Sequence, residues 1–162
     1  MTVFQSLALL RRTLVTSPSA IVAPWGNLAM RVSIGLMLAI IHGWHKVAEG
    51  LAHFLTGTEW GFVHEVAELG FPAPAIFALM AGLTQLFGGL FIAVGLFTRP
   101  AAFMVADSLA VATFQNFHSH RNPQLPLLYL ISCVALMLWG GGKFSLDARL
   151  EKRTEHMKER RQ

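Results

Sequence analysis

The sequence predicts an all-α integral membrane protein: a four-helix transmembrane bundle with an N-terminal interfacial helix, an amphipathic helix in its outer loop and a basic helical tail on the cytoplasmic side. Three observations predict it. Of 162 residues, 54% are hydrophobic and 14% charged, against about 25% charged in soluble domains, and mean hydropathy is +0.51. The 22 charges are uneven: residues 142–162 hold eleven, residues 1–26 hold two, and the 115 residues between hold nine. The basic residues also segregate between alternate loops. A soluble domain with so apolar a centre could not cover itself with polar side chains. Disorder, nucleic-acid binding and secretion are excluded on the same grounds. One cysteine allows no internal disulfide framework and no thiolate metal cage.

Residues 1–26 form an N-terminal segment, 27–141 the membrane domain and 142–162 the tail. In the first segment Val3, Leu7, Leu10 and Leu14 recur at helical spacing beside Arg11 and Arg12. This predicts a helix lying on the inner leaflet. No basic residue precedes the short apolar run and no cleavage site follows it, which argues against a signal peptide and a twin-arginine signal.

A span needs about 20 mainly apolar residues to cross about 30 Å of hydrocarbon. Four windows qualify, at about 27–47, 72–97, 100–117 and 124–140. They must be helices, because lipid offers backbone N–H and C=O groups no other partner. Pro72 and Pro74, Pro100, and Pro123 and Pro126 open the last three, and Gly140, Gly141 and Gly142 end the fourth. The one long loop, 48–71, contains an amphipathic stretch from Glu59 to Leu69. The tail from Ser145 to Gln162 reads as a solvated helix with Ser145 as N-cap and Asp147 near its positive end.

Orientation follows the lysines and arginines. With four spans, one side holds Arg11, Arg12, Arg31, Arg99 and the seven tail residues; the other holds Lys46 and Arg121. Both termini are expected in the cytoplasm of a multi-pass inner (plasma) membrane protein. Trp25 and Trp139 then mark the inner interface, Trp44 and Trp60 the outer.

Ionisable residues inside a membrane are costly and default candidates for function. Arg31 lies about 6 Å into the first span and Asp107 about 10 Å into the third, at 1.5 Å per residue. Gln85 reaches similar depth in the second span, on a small-residue ridge with Ala81 and Gly89. Arg31 to His42 and Asp107 to His118 are both eleven residues apart, three α-helical turns and about 16 Å. Two polar layers are expected. The lower is a hydrogen-bonded Arg31–Gln85–Asp107 cluster. A register-fixing ion pair, or an Arg31 that snorkels to phosphate, explains the same residues.

The upper layer is an outer pocket of His42, His45, Lys46, Gln115 and His118, a candidate site for a quinone headgroup, a proton or another ligand. His42 with His45, and His118 with His120, are the candidate metal ligands. No carboxylate or cysteine is interleaved at zinc-like spacing and no haem motif occurs, which counts against metal or haem. Histidines that merely anchor the interface explain the pattern equally. Cys133 and Ser132, mid-way along the fourth span, read as packing. No hydrolase triad, phosphate loop or nucleotide fingerprint is present.

These pieces, in order, resemble the DoxX family of small four-span bacterial membrane proteins. The resemblance covers about residues 29–150. It rests on Arg31-Val-Ser-Ile-Gly35, His42-Gly43-Trp-His-Lys46, Gly70-Phe-Pro72, Gly88-Gly89, Gly95-Leu-Phe-Thr98-Arg99 and Gly140-Gly-Gly-Lys-Phe-Ser145-Leu-Asp147. The resemblance implies a subunit of a membrane redox system, with Arg31, His42, Lys46 and Asp147 at motif positions. By it, the chain binds a quinone or similar hydrophobic redox molecule between its helices and works with a partner redox protein or as a homo-oligomer. Family members often carry a glutamate where Gln85 stands and another near Gln124. Amides at both positions strengthen the alternative, a non-catalytic membrane scaffold or carrier that anchors a soluble partner. A small-solute channel is a third reading, one that four short helices could serve only by oligomerising.

Overall fold

The computed structural model describes residues 22–160, which form six helices and no strand. The interfacial helix expected at the N-terminus lies outside the described residues. Helix α1 runs Val22–Thr56; α2 is Gly61–Glu68, α3 Pro74–Val94, α4 Thr98–His118, α5 Gln124–Trp139 and α6 Leu146–Glu159. The chain is therefore all-α, as expected. Helices α1 and α3 are long and apolar enough to cross a membrane; α5 is apolar but spans 16 residues, and α4 has 21 residues and carries Asp107.

Helix α1 departs from the expectation. The apolar window ends near Val47, but the helix continues to Thr56 and absorbs the start of the predicted loop. Hydropathy marks where lipid would end, whereas a helix ends where its backbone is interrupted. Here Val47 and Gly50 keep one face buried, and Gly57, at φ +71°, supplies the stop. Within α1, Met37–Gly43 is a π-helix. Its wider turn means that the eleven residues from Arg31 to His42 are not three α-helical turns.

Helix α1 lies along α3, α3 pairs with α4, and α4 pairs with α5; α1 meets α5 through its Val22–Leu36 segment and through His42 against Tyr129. Glycines set the first of these contacts. A Cβ on Gly89 would sit 2.7 Å from the Gly35 carbonyl oxygen and 2.8 Å from the Ala39 nitrogen, and one on Gly43 would sit 2.4 Å from the Leu86 nitrogen. Backbone thus touches backbone, the arrangement that small residues permit between helices in lipid. The main core joins Leu38, Ile92, Ala102, Val105, Tyr129, Cys133 and Leu136. A separate small core of Trp60, Val66 and Ala78 holds α2. Trp60 is consequently buried and hydrogen-bonded to Glu49 (3.0 Å), rather than anchored at an interface.

The polarity of the surface is inverted. Leu55, Phe117, Leu138 and Trp139 are 70–81% exposed, while Arg31, Gln85, Thr98 and Gln115 are at most 5% exposed. In water this burial pattern would be unfavourable; in lipid it is the expected one.

The glycine seam predicts an asymmetric response. Gly89→Val should abolish recovery of monodisperse protein, since no rotamer relieves a backbone clash. Gly26→Ala, with nothing within 4 Å of the added carbon, should raise helix stability by about 0.5–1 kcal/mol, read as a higher Tm in detergent.

Candidate functional site: a cavity between five helices

The expected polar residues separate into two places. At the end of the bundle formed by the α3–α4 and α5–α6 turns, Arg31 is 1% exposed and donates to the carbonyls of Gly141 (Nη1, 2.7 Å) and Phe144 (Nη2, 3.4 Å). Asp147 accepts from the backbone N–H of Phe97 (2.7 Å) and Thr98 (2.9 Å) and from the Thr98 hydroxyl (2.9 Å), capping α4. Ser145 caps α6 by accepting from Ala148 N–H at 3.1 Å, as predicted. Gly95 lies against the guanidinium: a Cβ there would meet Arg31 Nη1 at 1.9 Å. Arg31 and Asp147 are therefore a structural junction that ties α1, α4 and α6 together.

The predicted Arg31–Gln85–Asp107 cluster does not form. The loop 140–144 presents free carbonyls within reach of Arg31, and they accept from its Nη1 and Nη2. Gln85 instead accepts from Lys46 Nζ (3.2 Å) and donates to the Ser108 hydroxyl (3.5 Å). Asp107 is exposed and forms no ion pair among the described residues.

The second place is a cavity of about 660 Å³ between α1, α2, α3, α4 and α5. Gly88 lets α3 approach α4 closely at Val105, and Thr84 on α3 and Ala112 on α4 line the cavity. The walls are mainly apolar. Phe77, Met80, Phe103 and Met104 line it and are also exposed, so the cavity opens sideways between α3 and α4 onto the surface that would face lipid. Its polar groups are His42, Lys46, Glu65, Gln85, Asp107, Ser108, Gln115, Asn116 and Tyr129, besides Thr84. This size and balance is that of a site for a small organic ligand.

Lys46 is half-buried. Its ammonium lies 4.3 Å from the centre of the Phe62 ring and has no ion-pair partner among the described residues. Three contributions hold it: the Gln85 carbonyl, the face of Phe62, and the close approach of Gly82, whose Cβ would stand 3.0 Å from Lys46 Cβ. His42 packs edge-on against Tyr129 at 5.4 Å. Gln115 donates to Glu68 (3.1 Å) and Ser119 (3.3 Å), while its Oε1 is buried without a partner. A buried orphan acceptor costs about 1–3 kcal/mol unless a ligand or water satisfies it.

Of the five residues expected in an outer pocket, His42, Lys46 and Gln115 line this cavity. His45 and His118 do not. His45 points outward and pairs with Glu49 at 3.1 Å, and exposed His118 stacks on Phe114 at 6.1 Å. His120 is exposed in the α4–α5 turn at φ +53°. Among the described residues no three His, Cys, Asp or Glu side chains gather as a metal site. Sequence reasoning missed Ser108, Tyr129 and Glu65 as cavity residues. The first two are single polar groups in apolar helices, and the third depends on where α2 folds back.

A helical bundle with an apolar exterior and a laterally open cavity, apolar-walled with a few polar groups, has the architecture of a membrane protein with room for a small molecule. The DoxX family model matches residues 26–118, more than half of the chain, and the chain belongs to that family. Comparison with curated proteins and with solved structures gave no match.

The junction and the cavity should separate under mutation. Arg31→Met leaves two carbonyls without a donor and removes the tie to α6; it should cost about 3 kcal/mol or more and lower yield and Tm sharply. Asp107→Ala should leave stability within about 0.5 kcal/mol of the parent, read as a nearly unchanged Tm, because no partner is lost.

Proposed function

We propose that this DoxX protein spans the inner membrane four times, with both termini in the cytoplasm, and binds a quinone or similar hydrophobic redox molecule in the cavity while a partner enzyme supplies or takes up electrons. The cavity carries the reading. It offers an apolar lateral mouth through which a lipid-dissolved tail can enter, and a polar arc from Lys46 through Gln85 and Ser108 that can meet a carbonyl or hydroxyl head. Four spans follow if α4 and α5 cross with α1 and α3, to which each is tied by the hairpin order of the chain.

In this reading Lys46 is the principal donor to the head. Its ammonium has one acceptor, Gln85 Oε1, and two further hydrogens to give. His42 and Tyr129 form the aromatic wall. The Gln85–Lys46 pair replaces what a carboxylate at position 85 would make a buried ion pair. An uncharged amide leaves more of the ammonium's charge to the ligand, and it favours binding over proton transfer at this position.

A second reading has one observation in its favour. Helix α6 has no buried residue, yet the Asp147 and Ser145 bonds anchor its first turn. It can therefore present a charged surface at a fixed place to a soluble partner. Removing residues 150–162 should then abolish recovery of that partner without changing ligand uptake.

The test of the first reading uses purified protein in nanodiscs titrated with decylubiquinone. One equivalent should bind, and Lys46→Met should weaken binding about tenfold, the loss of one hydrogen bond from a charged donor. Arg99→Ala, outside the cavity, should bind as the parent does. Absence of uptake, or equal affinity for parent and Lys46→Met, would overturn it.

A further inference from the structure

We propose that α2 is a hinged lid over the water-facing side of the cavity, held shut by two polar latches, and that Gln115 couples the lid to what the cavity contains. The inference rests on reading the cavity as a ligand site, and it concerns how that site meets water rather than which molecule fills it.

Three features make α2 a lid. Phe62, Glu65 and Val66 of α2, with Leu69 and Phe71 just after it, form part of the cavity wall. Its apolar residues belong to the small Trp60–Val66–Ala78 core and not to the main one. Units with their own small core can open while the rest of a protein stays folded. The segments on either side carry left-handed backbone at Gly57 (φ +71°), Gly70 (φ +78°) and Ala73 (φ +52°), so each flank is a turn rather than a continuation of helix.

Two polar contacts close the lid onto α4 and the turn after it. Glu65 accepts from Arg121, and Glu68 accepts from Gln115 Nε2 at 3.1 Å. The hydrogen bond to Glu65 holds the Arg121 guanidinium above its ordinary pKa. The Glu65–Arg121 pair is exposed enough to be weak. A latch of this strength shifts an opening equilibrium without locking it.

Gln115 belongs to both latch and cavity. Its amide nitrogen holds Glu68, while its amide oxygen is the buried atom without a partner. A ligand hydroxyl, or a water retained under a bound ligand, that donates to Oε1 fixes the amide in the orientation that also serves Glu68. Occupancy and closure then stabilise each other, and by linkage the coupling is the same in both directions.

The test reads access from water. Cys133, the chain's single cysteine, is replaced by alanine and Ala112 on the cavity wall by cysteine, in the full chain in nanodiscs. Labelling is timed with a charged sulfonatoethyl methanethiosulfonate and, separately, with lipid-soluble N-ethylmaleimide. Arg121→Gln combined with Glu68→Gln should speed the charged reagent about tenfold, the sum of one exposed ion pair and one charge-assisted hydrogen bond. N-ethylmaleimide should change less than twofold, and Arg121→Lys alone should keep the slow rate. An unchanged rate with the charged reagent overturns the lid. So does a parallel rise for both reagents, which reports general loosening. Decylubiquinone should slow the charged reagent in the latched protein. If unlatching speeds labelling but decylubiquinone has no effect, the lid stands and the quinone reading falls.

Discussion

The structure depends on the contact between the backbones of α1 and α3. In water, two apolar helices are pushed together by the solvent. In lipid that force is absent, and association rests on close packing and polar contacts. Gly35, Gly43, Gly82 and Gly89 remove the side chains that would keep α1 and α3 apart. The consequence reaches the site directly. Only because Gly82 lets the Lys46 stem lie against α3 can the ammonium reach Gln85 at 3.2 Å. The same closeness at Gly88, where Val105 would meet an added Cβ at 2.4 Å, lets α3 approach α4 closely. The same two helices line the cavity at Thr84 and Ala112.

The polar residues divide by what backbone is within reach. Arg31 sits where a glycine-rich turn exposes carbonyls that no helix satisfies, so Nη1 and Nη2 donate locally. Asp147 does the complementary work for the first N–H groups of α4. A buried cation and a half-buried anion are thus held at the same end of the bundle by backbone dipoles rather than by a direct ion pair. Lys46 lies several turns away, where both neighbouring helices satisfy their own backbone. It finds one amide oxygen and one aromatic ring, and retains unfilled donor capacity. Charge held by backbone is structural here; charge left with spare donors is what a ligand can use.

Much of this was legible in the residues. Apolar windows, prolines and glycines placed α3, α4 and α5 within a few residues, because those signals act on the backbone where they occur. Ser145 announced its own cap. His42, Lys46 and Gln115 were marked as polar groups at one end of the spans, and they meet at one cavity. The π-helix at Met37–Gly43 had no sequence signal, and it invalidated the eleven-residue argument for Arg31 and His42. The extension of α1 to Thr56 escaped a reading based on hydropathy, since lipid thickness does not end a helix. The partners of Arg31 were hidden for a different reason. They are main-chain carbonyls about 110 residues away in sequence, and side-chain patterns carry no information about them.

Position 85 shows how these constraints combine. A glutamate there would face Lys46 across the same 3.2 Å and form an ion pair buried between helices. Its charge would be spent on the lysine, and both groups would share a proton equilibrium. With glutamine, Lys46 stays a hydrogen-bond donor with an incompletely balanced charge. The opposite side of Gln85 passes its own N–H to Ser108. The chain Lys46–Gln85–Ser108 therefore runs in one direction, each group donating to the next, and it leaves the ammonium as the open end of the series. In the proposed reading, that open end is where a ligand oxygen would be met. The amide thus leaves Lys46 with donor capacity that a carboxylate would consume, and the geometry of the glycine seam sets where that capacity sits.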